Sequence, residues 1–334
     1  MKTGKLSPSD LERIVFPYLG LRRPDVLVRA AVGEDSSIID FGDWVAVLST
    51  DPITGATKSA GWLSVHVSCN DVVCSGAEPV GVLVTVLLPE RAREQDLRGL
   101  MEEVHRAASE LRIEVLGGHT EVTPGLPSTI ISSTAIGKAP KSRYIVTSGA
   151  RVGNALVLTK SAGLEGTAIL AGDLEDRLRD HLGAELLARA QGFRGEISVV
   201  AEGLVAAETG ATAMHDATEG GVLGAIHEMV TAAGLGVEVD VDSIPIRDET
   251  RELCRFFHAD PLKLISSGAM VIACPDGERM VREISRRGIS AAIIGRFTGP
   301  ESGRWLVSGG RRKELEPSYR DELWLILESG QGSG

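Results

Sequence analysis

What the chain lacks narrows its chemistry before any motif is read. Its 334 residues hold four cysteines, Cys69, Cys74, Cys254 and Cys274, and no Cys-x-x-Cys pair. A disulfide framework or a structural zinc site needs closely spaced cysteines, so neither is expected. No apolar run reaches membrane-spanning length; the longest, Val80 to Leu88, is as long as a strand. Met1 to Asp10 holds no apolar core of a secretory signal. Basic residues are outnumbered, 35 Lys and Arg against 46 Asp and Glu, for a net charge of −11. Neutralising phosphates takes a basic face, which argues against a general nucleic-acid binder. Neither the P-loop pattern nor Gly-x-Gly-x-x-Gly occurs. The expectation is a cytoplasmic protein that serves a small molecule, with neither membrane nor nucleic acid as partner.

A hydrophobic fraction of 43% over this length is ample for two cores. Ser9-Asp10 before Leu11 to Leu19 predicts a capped helix. Ser36 to Asp40 and Trp44 to Thr50, around Phe41-Gly42-Asp43, predict a hairpin. Trp62 to Ser75 is an apolar helix stopped by Gly76. Val80 to Leu88, Ile113 to Leu116 and Ser128 to Gly137 are strands, and Glu94 to Leu111 has helical periodicity. The aperiodic stretch Lys138 to Arg151 marks a boundary, giving domains 1–148 and 149–334. Beyond it, Ala155 to Thr159, Ala211 to Met214, Val237 to Val241, Ala269 to Ala273, Ala291 to Phe297 and Trp305 to Val307 are strands, and Gly220 to Ala233 and Gly277 to Arg287 helices. Without strict alternation of strand and helix the class is α+β in two halves. The Gly/Ser-rich end, Glu328 to Gly334, predicts a flexible linker.

Carboxylates recur where apolar segments end: Glu34-Asp35, Asp51, Asn70-Asp71, Glu121, Asp216 and Glu219. Asp71 stands inside an apolar helix, where a charge is costly unless paired or metal-bound. An arginine partner or a cap would explain it as structure; five such sites together point elsewhere. Hard cations take oxygen ligands, and Mg²⁺ shares them with substrate phosphates, so acids without a matching Cys/His set indicate Mg²⁺ and phosphate. In His215-Asp216-Ala217-Thr218-Glu219-Gly220-Gly221 a strand ends, Thr218 is placed to cap a helix, and two glycines open it. Free N–H groups there suit an anion, although such turns also use Thr and Gly for folding alone. Lys160 reads equally as a phosphate contact or a surface strand end. Cys69 and Cys74, five apart on one helix, read as core.

Taken in order, Gly33-Glu34-Asp35-Ser36-Ser37, Ser49-Thr50-Asp51-Pro52, Asn70-Asp71 with Ser75-Gly76-Ala77-Glu78-Pro79, Gly117-Gly118-His119-Thr120-Glu121 and the His215 to Gly221 run span nearly the whole chain. This ordered set resembles the AIR synthase (PurM-like) superfamily, and in wording it is most similar to the hydrogenase expression/formation proteins of the HypE type. The resemblance implies a homodimer whose N-terminal sheets close a β-barrel, with ATP and Mg²⁺ bound. Asp35, Asp51, Asp71 and Asp216 would hold metal; Asp71, Asp216 and Glu121 would serve catalysis; Asn70, His119, Thr120, Thr218, Gly220 and Gly221 would contact the nucleotide. It implies phosphoryl activation or dehydration of a small substrate and a maturation partner protein. A kinase resembling thiamine-monophosphate kinase, or a non-catalytic ATP-binding scaffold, are the alternatives. Two departures stand out. His119 replaces the family's usual Asp, a poor exchange for Mg²⁺, which leaves Glu121 to supply the oxygen or the metal with fewer ligands. The HypE type ends in a cysteine that carries a carbamoyl group, whereas here no cysteine follows Cys274. No self-carbamoylation is therefore expected.

Overall fold

The computed structural model describes residues 6–53, 59–317 and 320–331. The chain divides into two compact units, one of residues 25–29 and 35–144, the other of residues 1–24, 30–34 and 145–334. At the start, α1 (Pro8–Asp10) runs into a π-helical turn, Leu11–Val15, and a 3₁₀ turn, Phe16–Tyr18, instead of the single predicted helix. Pro17 supplies no N–H for a regular ladder, which accounts for the break.

The smaller unit is a six-stranded sheet. Its strands are β1 (Val26–Val28), β2 (Ser37–Phe41), β3 (Trp44–Ile53), β4 (Glu78–Leu88), β5 (Glu114–Val122) and β6 (Ile130–Pro140), in the order β1-β2-β3-β6-β4-β5. β2 and β3 form the predicted hairpin, with Phe41 opposite Trp44. Along β3, Val45, Val47 and Ser49 are buried and alternate with Trp44, Ala46, Leu48 and Thr50, the period-2 signature of a sheet covered on one side. The cover is α2 (Ala60–Cys74) and α3 (Glu94–Leu111), with Val65, Cys69, Val72 and Val73 fully enclosed. α3 has its predicted bounds; the Asp96 carboxylate accepts the Arg93 N–H at 2.9 Å and starts it. On the other face Trp44, Val80 and Leu83 stay exposed.

β5 corrects one reading. Gly117-Gly118-His119-Thr120-Glu121 does not follow a strand; the strand continues through it, parallel to β4, with Val84 opposite Gly118 and Leu87 opposite Glu121. A Cβ on Gly118 would fall inside the van der Waals envelope of the Val84 carbonyl, so only glycine lets the two backbones meet here.

The larger unit holds seven strands in the order β13-β12-β9-β11-β7-β10-β8. They are β7 (Ala155–Thr159), β8 (Ala213–Asp216), β9 (Gly236–Asp240), β10 (Met270–Cys274), β11 (Ala291–Thr298), β12 (Arg304–Ser308) and β13 (Arg311–Glu314). Its helices are α4 (Leu164–Asp173), α5 (Glu175–Gly192), α6 (Val200–Thr209), α7 (Gly221–Ala233), α8 (Asp248–Phe257), α9 (Gly277–Ser285) and α10 (Glu322–Gln331). Ile226, Met229 and Val230 of α7 share a core with Leu156, Leu158, Val271 and Phe297. A second core joins Leu170, Leu178, Leu187 and Leu253 to Leu323 and Ile326. α10 overturns the predicted linker as far as Gln331: Leu323 and Ile326 are each 4% exposed and anchor the helix. Residues 332–334 lie outside the described ones.

Candidate functional site

In the smaller unit the acids gather around the C-terminal half of α2. Asn70 is fully buried and Asp71 nearly so. The Ser49 hydroxyl donates to Asp71 Oδ2 at 2.5 Å, and the Ser36 hydroxyl donates to the Asp71 carbonyl at 3.0 Å. Ser36 is the neighbour of Asp35, and Ser49 precedes Asp51 by two residues on the same side of β3, so these two bonds draw the segments carrying Asp35 and Asp51 to Asp71. Asp35 and Asp51 are half-buried. A short hydroxyl bond to a carboxylate fixes its rotamer.

His119 and Glu121 do not join this group within one chain. Asp51 pairs with Ser133, Ser133 with Val84, and Val84 with Gly118. The two motifs thus lie in one row but three strands apart, about 14 Å at the usual interstrand spacing. That corrects the idea that Glu121 completes the same chain's metal shell. Both side chains sit on the exposed sheet edge, His119 Nε2 at 3.0 Å from Glu121 Oε2, with the Thr123 hydroxyl donating to Glu121 Oε1 at 2.7 Å. The His119 ring first and the Thr123 hydroxyl second hold the Glu121 carboxyl below its ordinary range.

In the larger unit β8 ends on His215 and Asp216, both buried. His215 Nε2 lies 2.7 Å from Glu228 Oε2 of α7. The turn after it departs from prediction. The cap of α7 is Gly220 in the left-handed region, φ +86°, and no side chain caps it; Thr218 contributes its carbonyl, which accepts the Gly221 N–H at 3.0 Å. A Cβ on Gly221, φ +63°, would stand 2.6 Å from the Leu262 carbonyl oxygen. The N–H groups expected to be open to a phosphate are engaged inside the chain. Gly220 N–H donates to Asp321 Oδ2 at 2.7 Å, and Leu223 and Gly224 N–H donate to the Leu262 and Gly220 carbonyls. These glycines therefore serve close packing. Nothing in the sequence around Asp321 marks it, yet this carboxylate also accepts the Ile265 and Leu323 N–H groups at 3.1 and 2.8 Å. Burial pushes its pKa up to about 6 against these three bonds.

Lys160 is neither a surface end nor an open phosphate contact. Its ammonium donates to the carbonyls of Ser198, Gly268 and Glu196 at 2.6, 3.0 and 3.1 Å and meets Glu202 Oε1 at 2.7 Å, with Glu202 1% exposed. All four cysteines are buried. Burial pushes the Cys69 and Cys254 thiols up to about 12 and Cys274 up to about 11, far from thiolate chemistry at neutral pH. Among the described residues no helix is long and apolar enough to cross a membrane.

Residues 33–139 match the model of the AIR synthase related protein N-terminal domain, and residues 151–307 that of its C-terminal domain. A carbamoyl dehydratase HypE of Azotobacter vinelandii is 30% identical over 268 residues, 76% of each chain. A putative hydrogenase expression/formation protein of Methanocaldococcus jannaschii is 29% identical over 286 residues, 81% of each. The fold is similar to that of HypE in a HypE–HypF complex, with TM-score 0.77, 18% identity and coverage of 92% of this chain and 99% of that one. It is also similar to hydrogenase maturation protein HypE in complex with ATP, with TM-score 0.72, 22% identity and coverage of 96% and 97%. The two-unit PurM-like architecture, the ordered motifs and these likenesses agree: the chain belongs to the AIR synthase related family and, within it, to the hydrogenase expression/formation proteins of the HypE type.

Proposed function

We propose that this chain is an ATP- and Mg²⁺-dependent carbamoyl dehydratase. The observation that carries the reading is the buried Asp71, held by Ser49 and Ser36 beside Asp35 and Asp51 in a chain of the HypE type. Asp35, Asp51 and Asp71 offer oxygens to Mg²⁺, with Asn70 at the nucleotide beside them; Asp216 offers the same chemistry at the strand end of the larger unit. When bound, ATP supplies the phosphoryl group that turns the oxygen of a carboxamide into a leaving phosphate, so that loss of two nitrogen protons leaves a nitrile, ADP and phosphate. The chain's own part is to orient the carboxylates and exclude water, which is where phosphoryl chemistry gains most. A maturation partner protein belongs to this reading, which the solved HypE–HypF complex supports, and the proposed ATP use fits a cytoplasmic protein. Calorimetry with ATP at millimolar Mg²⁺, repeated in EDTA, should show binding only with the metal. No heat in either buffer sinks the proposal.

The functional form is proposed to be a homodimer. One face of the smaller sheet leaves Trp44, Val80 and Leu83 exposed, and β5 is an edge strand; such a face and edge favour pairing with a second copy. A second copy would also bring its His119, Thr120 and Glu121 to acids they do not reach in their own chain. Light scattering at micromolar concentration should give twice the chain mass; a monomer would remove the dimer from the proposal.

A further inference from the structure

Among the described residues three buried hydroxyls of the larger unit have no partner, Ser161 Oγ, Ser267 Oγ and Thr298 Oγ1, and the first two, on residues 2% and 1% exposed, stand on neighbouring segments. Buried hydroxyls are almost always bonded, so a matched pair of orphans calls for a bonding group from outside the chain. The segments that carry them are tied together on either side of each serine. Lys160 Nζ reaches the Gly268 carbonyl at 3.0 Å, and the Gly163 N–H donates to Ser266 Oγ at 2.7 Å. Ser161 lies between Lys160 and Gly163; Ser267 lies between Ser266 and Gly268. Both therefore stand beside the N-terminus of α4. Gly163, φ +73°, caps that helix, and the Gly166 N–H donates to the Ile265 carbonyl at 2.9 Å. The two serines are at the end of the sheet that carries Asp216. Ser161 follows β7 directly, and Ser267 precedes β10, whose Met270 pairs with Asp216 while the Ala217 N–H donates to the Ala269 carbonyl.

We propose that this end of the sheet binds the carboxamide head of the substrate, with Ser161 and Ser267 as its positioning residues. The inference rests on the carbamoyl dehydratase reading and adds where the amide is held. A neutral two-way group fits because each hydroxyl both donates and accepts, as an amide does. An oxyanion does not fit. Lys160, next to Ser161 in the chain, is enclosed by three carbonyls and Glu202, and Glu165 adds a carboxylate in the first turn of α4.

The test uses the full chain with S-carbamoyl-N-acetylcysteine amide as probe, and the variants Ser161→Ala, Ser267→Ala and the double. Each single variant should raise the KM for probe-dependent ADP release about tenfold, the scale of one lost hydrogen bond. ATP affinity by calorimetry should stay within twofold. Melting temperatures should hold or rise, since an orphan hydroxyl has been removed. Unchanged KM with a lower melting temperature would mean that the serines only hold an internal water, and would overturn the assignment. So would a larger rise in melting temperature with inorganic phosphate than with the probe. If the unaltered chain binds ATP but ignores the probe, this inference fails alone; if it does not bind ATP, the dehydratase reading has failed first.

Discussion

Replacing Asp71 by asparagine is expected to weaken ATP–Mg²⁺ binding by about 100-fold or more, the scale seen when a metal ligand or its close support is lost, and to leave the fold intact. Asparagine keeps an oxygen that can accept the Ser49 hydroxyl, and the Ser36 bond goes to the Asp71 backbone carbonyl, which the substitution does not touch. What disappears is the charge, and a buried carboxylate kept for a cation is held at a cost in stability. The melting temperature without nucleotide should therefore stay level or rise by a few degrees. Calorimetry and a thermal melt on the same sample decide it. A melting temperature that drops while ATP affinity stays put would make Asp71 a structural partner.

The second large effect concerns Asp321. Alanine there strands the Gly220, Ile265 and Leu323 N–H groups in a nearly water-free setting, with Asp321 2% exposed. Each orphaned donor costs about 1–3 kcal/mol, partly offset because a penalised carboxylate is gone, so a net loss of about 2–4 kcal/mol is expected. For a chain of this size that lowers the melting temperature by roughly 3–6 °C. The pH dependence follows from the raised pKa. Asp321 rises from 3.8 to about 6 on folding because of burial. Between those values the folded chain keeps a proton that the unfolded chain has released, so this group's contribution to stability falls as pH rises through that window and is flat above it. The slope removes on the order of 3 kcal/mol. Asp321→Asn should abolish that slope, which the difference between wild-type and variant denaturation curves from pH 4 to 7 isolates. Parallel curves would show that the carboxyl titrates as it would in water.

Periodicity carried most of the fold. β7 and α3 have the predicted bounds, β7 as a continuous apolar run inside the sheet and α3 because its buried residues recur at every third to fourth position. The failures have local causes. The predicted strand stops at Leu116, but glycine at 117 and 118 continues it, and Gly118 answers the close approach of Val84, which no sequence window contains. β13, Arg311–Glu314, has no apolar residue to announce it and is held as an edge by pairing with β12. α10 was hidden by the glycines that follow it, although Leu323-Trp324-Leu325-Ile326-Leu327 was a helical signal in plain view. At the site, the acids were legible because a carboxylate in an apolar run is conspicuous. Asp321 was not, since its three donors come from residues about 100, 56 and 2 positions away. The Thr218 cap was a reasonable local inference that lost to a longer-range partner for the same turn.

Lys160 has a consequence for how the protein behaves when it is stripped. Its ammonium sits where several oxygens converge, much as a bound monovalent ion would, but it is tethered to β7 and cannot be dialysed away. Chelators and desalting columns reach a dissociable Mg²⁺; they have no hold on a counter-ion that is part of the chain. An apo preparation should thus lose its nucleotide while the larger unit remains folded, and only covalent capture of the lysine before folding, by acylation for example, would deny that unit its centre.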